Sequence, residues 1–102
     1  MNEKFFEAIQ MSRIIEAFIH TREHGFVFRK CVPFYFWESK YFKDGKERFH
    51  MFDLSNPFYD NHLSVLPEQL IYIEVSQENF EPLDFYTHKQ KWIAGKSVKE
   101  ID

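Results

Sequence analysis

The polar and apolar positions change period early in the chain. From Glu3 to about Met11, Phe5, Ala8 and Ile9 fall on one helical face, with Asn2 as an acceptable N-cap. Glu3 and Glu7 suit the positive end of that helix. Arg13 to Thr21 reads two ways. Met11, Ile14, Ile15, Phe18 and Ile19 follow helical spacing, so the helix could run on to His24. The same β-branched and aromatic residues favour a strand. After the turn at Glu23-His24-Gly25, Phe26 to Val32 alternates, with Phe26, Phe28 and Lys30 on one side and Val27, Arg29 and Cys31 on the other. Pro33 is expected to break any central strand there. Phe34 to Phe42 forms the next extended run, Asp44-Gly45 is the strongest hairpin signal in the chain, and Glu47 to Leu54 returns. His62 to Leu66 and Leu70 to Val75 read as two further strands around a turn at Pro67-Glu68. Glu78 to Asp84 then wraps the body, with Phe80 and Pro82 as anchors.

This order predicts an α+β, mostly β chain: an N-terminal helix, then about five strands in a strongly bent antiparallel sheet or small barrel. A length of 102 residues without repeats or linkers fits one domain. Its body spans about 5–85, and the tail 87–102 is expected as a docked helix or a frayed end. Composition sharpens the core. With 13 Phe, 5 Tyr and 2 Trp, the apolar mass sits in large rings, each removing roughly 150–250 Å² from water when buried. Half of those rings lie between Phe26 and Phe52, so the enrichment is local.

Charge narrows the partners. The net charge is −3, but Arg29, Lys30, Lys40, Lys43, Lys46 and Arg48 crowd the middle, while Glu68, Glu74, Glu78, Glu81 and Asp84 follow with no base among them. A polyanion partner is therefore conceivable but not favoured. No apolar run approaches the roughly 18 residues that span a bilayer, so no membrane partner is expected. The N-terminus does not read as a secretory signal, and a single Cys31 fits a reducing compartment. The expected location is cytoplasmic.

The run FFEAIQ, RIIEAFIH, FRKCVPFYF, RFHMFDL, HLSVLPEQLIYIEV and ENFEPLDF resembles the WYL domain family over residues 5–85. The likeness is carried by Arg29 to Pro33 for its Arg-x-x-x-Pro step and by Phe80, Pro82 and Phe85 for its closing pattern. The Trp-Tyr-Leu tripeptide is absent. Phe49-His50-Met51 or Phe52-Asp53-Leu54 stands nearby, and Glu68-Gln69-Leu70 replaces a late Asp-Arg-Ile step, without its Arg. The resemblance implies a five-stranded, SH3/Sm-like barrel after the N-terminal helix, a strand over Arg13 to Thr21, and a regulatory role in sensing a ligand, often a nucleotide or nucleic acid.

Candidate ligand-binding residues are Arg29, Tyr35, Trp37, Arg48 and His50, with Arg22 and Lys30 nearby. Guanidinium groups bind phosphate bidentately, and rings stack on bases. The competing reading is a solvated strand face over a ring-filled core. His20 and His24 would share a helical face as metal ligands, and His50, Asp53 and His62 could gather for acid–base work beside Cys31 or Ser64. Surface histidines are the plainer account, and neither an enzyme nor a cofactor is expected. The main alternative to ligand sensing is a protein-interaction or homodimerisation module using the aromatic strand Phe34 to Phe42. Rings on both faces of that strand require cover from the N-terminal helix or from another chain.

Overall fold

The computed structural model describes residues 2–39, 42–55, 62–86 and, for the backbone, 99–100. Helix α1 spans Glu3–Met11, with Asn2 in an extended conformation before it. Ser12 ends it in the left-handed region (φ 53°), its N–H bonding back to the carbonyls of Ala8 and Ile9. That turn redirects the chain into β1, Arg13–Thr21.

The helical spacing of Ile14, Ile15, Phe18 and Ile19 has a different cause. Ile15, Ala17 and Ile19 are fully buried on the face beneath α1, while Ile14 joins a second cluster on the opposite face. A strand apolar on both faces mimics a helical pattern, and pairing with β2 and β5 on its two sides decides the outcome.

Strand β2, Gly25–Glu38, pairs with β1 through a tight turn. There Gly25 takes φ +66°, and Thr21 Oγ1 accepts from the His24 N–H (2.9 Å) while donating to the Gly25 carbonyl (3.0 Å). The expected break at Pro33 does not occur; β2 runs through it. Pairing with β1 ends at Cys31, so the missing Pro33 N–H costs no bond on that side. Toward β3 (Glu47–Asp53) the register shifts between Pro33 and Tyr35. The register shift at Pro33 lets this fourteen-residue strand bend.

Strand β4 (His62–Val65) follows, then a 3₁₀ turn at Pro67–Gln69, β5 (Leu70–Asn79), α2 (Pro82–Tyr86) and the two-residue β6 (Lys99–Glu100). The order across the sheet is β5-β1-β2-β3-β4-β6, the first five antiparallel and β6 parallel to β4. The bent antiparallel sheet is thus observed, whereas closure into a barrel is not. β5 is longer than its apolar run suggested and reaches Asn79, whose side-chain amide donates to the Met11 and Ser12 carbonyls. The rest of the expected tail lies outside the described residues.

Phe5 and Ala8 of α1 seat on one face of the sheet, with the Phe5 ring 4.8 Å from that of Phe49. On the opposite face, the described residues provide cover at one end. There α2 brings Phe85 to 5.1 Å from Phe52 and 5.9 Å from Phe80, over Ile14 and Val32. Phe80 is buried, as an anchor should be. Among the described helices none is long and apolar enough to cross a membrane.

Candidate interaction surface

The structure separates the predicted cations. Arg48 is 6% exposed and gives a two-point ion pair to Asp44 (Nη1–Oδ1 and Nη2–Oδ2, both 3.0 Å). Its guanidinium also lies 4.9 Å from the Phe42 ring centre. That Arg48 bond, with the Lys46 N–H second, holds the Asp44 carboxyl down to about 2. Arg29 faces Asp53 at 3.6 Å and donates to the Phe28 carbonyl at 3.2 Å. The register places Asp53 beside Cys31 and Arg48 beside Trp37. The two guanidiniums therefore sit toward opposite ends of β3, whose Arg48 and Asp53 positions are about 17 Å apart at ~3.3 Å per residue. Lys30 pairs with Glu78 at 2.7 Å. Arg29 and Arg48 do not combine into one anion site.

Tyr35 and His50 do meet, with ring centres 5.8 Å apart, and the Trp37 carbonyl accepts from His50 Nε2 at 3.0 Å. A carbonyl only accepts, so His50 carries its proton on Nε2, leaving Nδ1 to accept from the Ser64 hydroxyl at 2.7 Å. The Ser64 oxygen in turn faces His62 Nε2 at 3.3 Å. Burial lowers both imidazoles, His50 to about 4 and His62 to about 3, so both are neutral. Asp53 stands apart, accepting from the Ser55 N–H at 2.8 Å, so the expected gathering is His50, His62 and Ser64 instead. Ser64 and Cys31 have no exposed surface, and burial raises the Cys31 thiol well above its ordinary value. His20 and His24 lie on a strand and a turn, so the helical face required for a paired site does not exist; His20 stacks on Phe26 and His24 faces Glu23.

The aromatic run of β2 is largely covered from within. Phe36 sits between Phe6 of α1 (6.1 Å) and Phe49 (4.5 Å), and Phe34 is buried beside His62 (5.4 Å). Trp37 remains half exposed. A recess of about 510 Å³ between β3 and the 3₁₀ turn is lined by Phe36, Phe49, Leu66 and Pro67 with Lys46, Glu47 and Glu68, and none of the predicted candidates reaches it.

The open rings lie elsewhere. On the face away from α1, β5, β1 and β2 align Tyr72, Phe18 and Phe28 in one row. Phe18 stacks on Phe28 (4.6 Å, 13° between planes), meets Tyr72 edge-on (5.5 Å) and lies 5.4 Å from Phe26, on which His20 stacks at 4.6 Å. Phe26 is 61% exposed, Phe28 57% and Tyr72 43%. The alternation already put Phe26 and Phe28 on one side of β2; that this is the uncovered side follows only from where α1 and α2 pack. Flanking the rings, Glu16 lies between Glu74 and Lys30 in register. No protein family, curated protein or solved structure matches the chain, so the surface is read from its own geometry alone.

Proposed function

We propose that the chain is a protein-interaction module whose docking surface is the aromatic face formed by Phe18, Phe26, Phe28 and Tyr72, with His20 at its edge. The observation that carries this reading is the contiguous ring stack left open to solvent. Together these rings expose roughly 400 Å² at 150–250 Å² per full ring, within the ~300–600 Å² of the largest apolar patch on a monomer, which often serves a function. Stacking platforms also serve single-stranded nucleic acid, but such sites pair rings with free cations that track phosphates. Here the nearest charges include Glu16 and Glu74, and Lys30 is engaged by Glu78. The ligand-sensing role implied by the WYL resemblance draws less support, because Arg29 and Arg48 each face a carboxylate.

A photoreactive benzoylphenylalanine in place of Phe28 should form covalent adducts with protein in living cells. The same group in place of Leu83, which is 72% exposed but lies on α2, should not. Tyr72→Glu should abolish the Phe28 adducts. Equal labelling from both positions, or adducts with nucleic acid, would overturn the reading.

A further inference from the structure

We infer that the occupant of the aromatic face is a second copy of this chain, packed sheet against sheet about a two-fold axis running across the strands. This inference rests on the interaction reading above and specifies its partner. Two features of the face carry it.

One is area. Two copies of a roughly 400 Å² ring patch bury about 800 Å², and the rim formed by Glu16, His20, Lys30 and Glu74 raises the total past the ~1,000 Å² that a specific interface needs. The expected dimer is therefore weak, at the micromolar end of the range. Face-to-face sheets place their strands within about 30° of alignment, so the row Tyr72, Phe18, Phe28 can interleave with its own copy.

The second feature is polarity along the strands. At one end of the rings, Glu16 lies in register between Glu74 and Lys30, and Glu78 engages Lys30, so the end is net acidic. At the other end lie His20 and, in the turn after β1, Arg22 with Glu23 and His24, Glu23 facing His24 at 3.8 Å, so that end carries no excess of acid. A two-fold axis parallel to the strands would set each acidic row against its copy. An axis across the strands sets Glu16 and Glu74 against the His20 and Arg22 end of the partner, which is the complementary arrangement. A basic or apolar protein of another kind would meet the acidic end equally well, but it would have no use for the opposite end.

Sedimentation equilibrium of the full chain tests this directly. The expected result is a dimer of the 12.5 kDa chain, dissociating at about 1–100 µM. Phe28→Glu should weaken it at least tenfold, with circular dichroism unchanged because that side chain is mostly exposed. Glu16→Arg should weaken it several-fold, and Glu16→Arg combined with Arg22→Glu should restore it; both positions are exposed, so the swaps leave the core intact. A chain that stays monomeric at all concentrations, a dimer indifferent to Phe28→Glu, or a double swap without rescue overturns the inference. Failure here with Phe28 cross-links to other proteins intact removes the second copy and leaves the interaction surface standing. Failure of both removes the surface itself.

Discussion

Acidification from pH 7 to 4 should destabilise this protein far more than its carboxylates alone would. His50 and His62 are 5% and 1% exposed and lie with Ser64 in one hydrogen-bonded group. Burial is the main cause that lowers both; for His50 the Trp37 carbonyl opposes it next and the Arg48 charge adds to it, and for His62 a protonated His50 lowers it further. Unfolded, each titrates near 6.5. The unfolded chain therefore binds more protons below that pH, so stability is complete above about 6.5 and drains away as the pH falls toward about 4 and 3. At 1.36 kcal/mol per unit, each histidine withdraws about 3 kcal/mol over this range. Asp44 acts with the same sign but lower on the pH scale: its lowered carboxyl contributes above its unfolded value and is lost as pH falls toward about 2, at the acid end of the histidine window. Urea midpoints measured between pH 7 and 4.5 should thus fall steeply, and in His50→Asn with His62→Asn the slope should flatten. An unchanged slope in that variant would assign the acid sensitivity to other groups.

Phe5→Ala should lower the unfolding free energy by about 3–5 kcal/mol, a large fraction of the stability of a domain this small. Phe5 has no exposed surface, and its ring packs edge-on against Phe49 at 4.8 Å and against Phe6 at 5.8 Å. It is the largest fully buried side chain of α1, and a nine-residue helix is not stable by itself. Removing the ring leaves a void between helix and sheet and weakens the largest of the contacts that hold the helix down, beside Ala8 and the Phe6–Phe36 pair. Thermal unfolding should register a drop of well over ten degrees, and Phe6→Ala, at a half-buried ring, a smaller one. If both variants melt together with the parent, α1 is not part of the cooperative core.

The helix over Glu3–Met11, the hairpin at Asp44-Gly45 and the returning strand were legible because each rests on neighbours in sequence. Gly45 takes φ +74° in that turn, the conformation for which glycine is suited. Strand β1 was not settled by pattern, since Ile14 and Phe18 face one side of the sheet and Ile15 and Ile19 the other. Only pairing on both edges distinguishes it from a helix. Pro33 misled in the other direction: a local rule against proline in central strands holds only where both edges are paired, and β1 has already ended its ladder there.

The candidate site shows the same division. That His50 belongs near Tyr35 and Trp37 was within reach, because the β2–β3 hairpin fixes their register. That Arg48 would close onto Asp44, and Arg29 onto Asp53, depended on side chains converging after the strands had paired.

Alternation along β2 puts Phe26 and Phe28 on a common side, and the ring-rich composition has to be placed somewhere in any fold of this chain; both are set by local sequence. Which side stays open is set by packing. Among the described residues, α1 covers one face of the sheet along Phe5 and Ala8, and α2 packs on the other over Ile14 and Val32. Burial is a property of long-range packing rather than of local pattern, so the same alternating rings would be core under a covering helix and are exposed here.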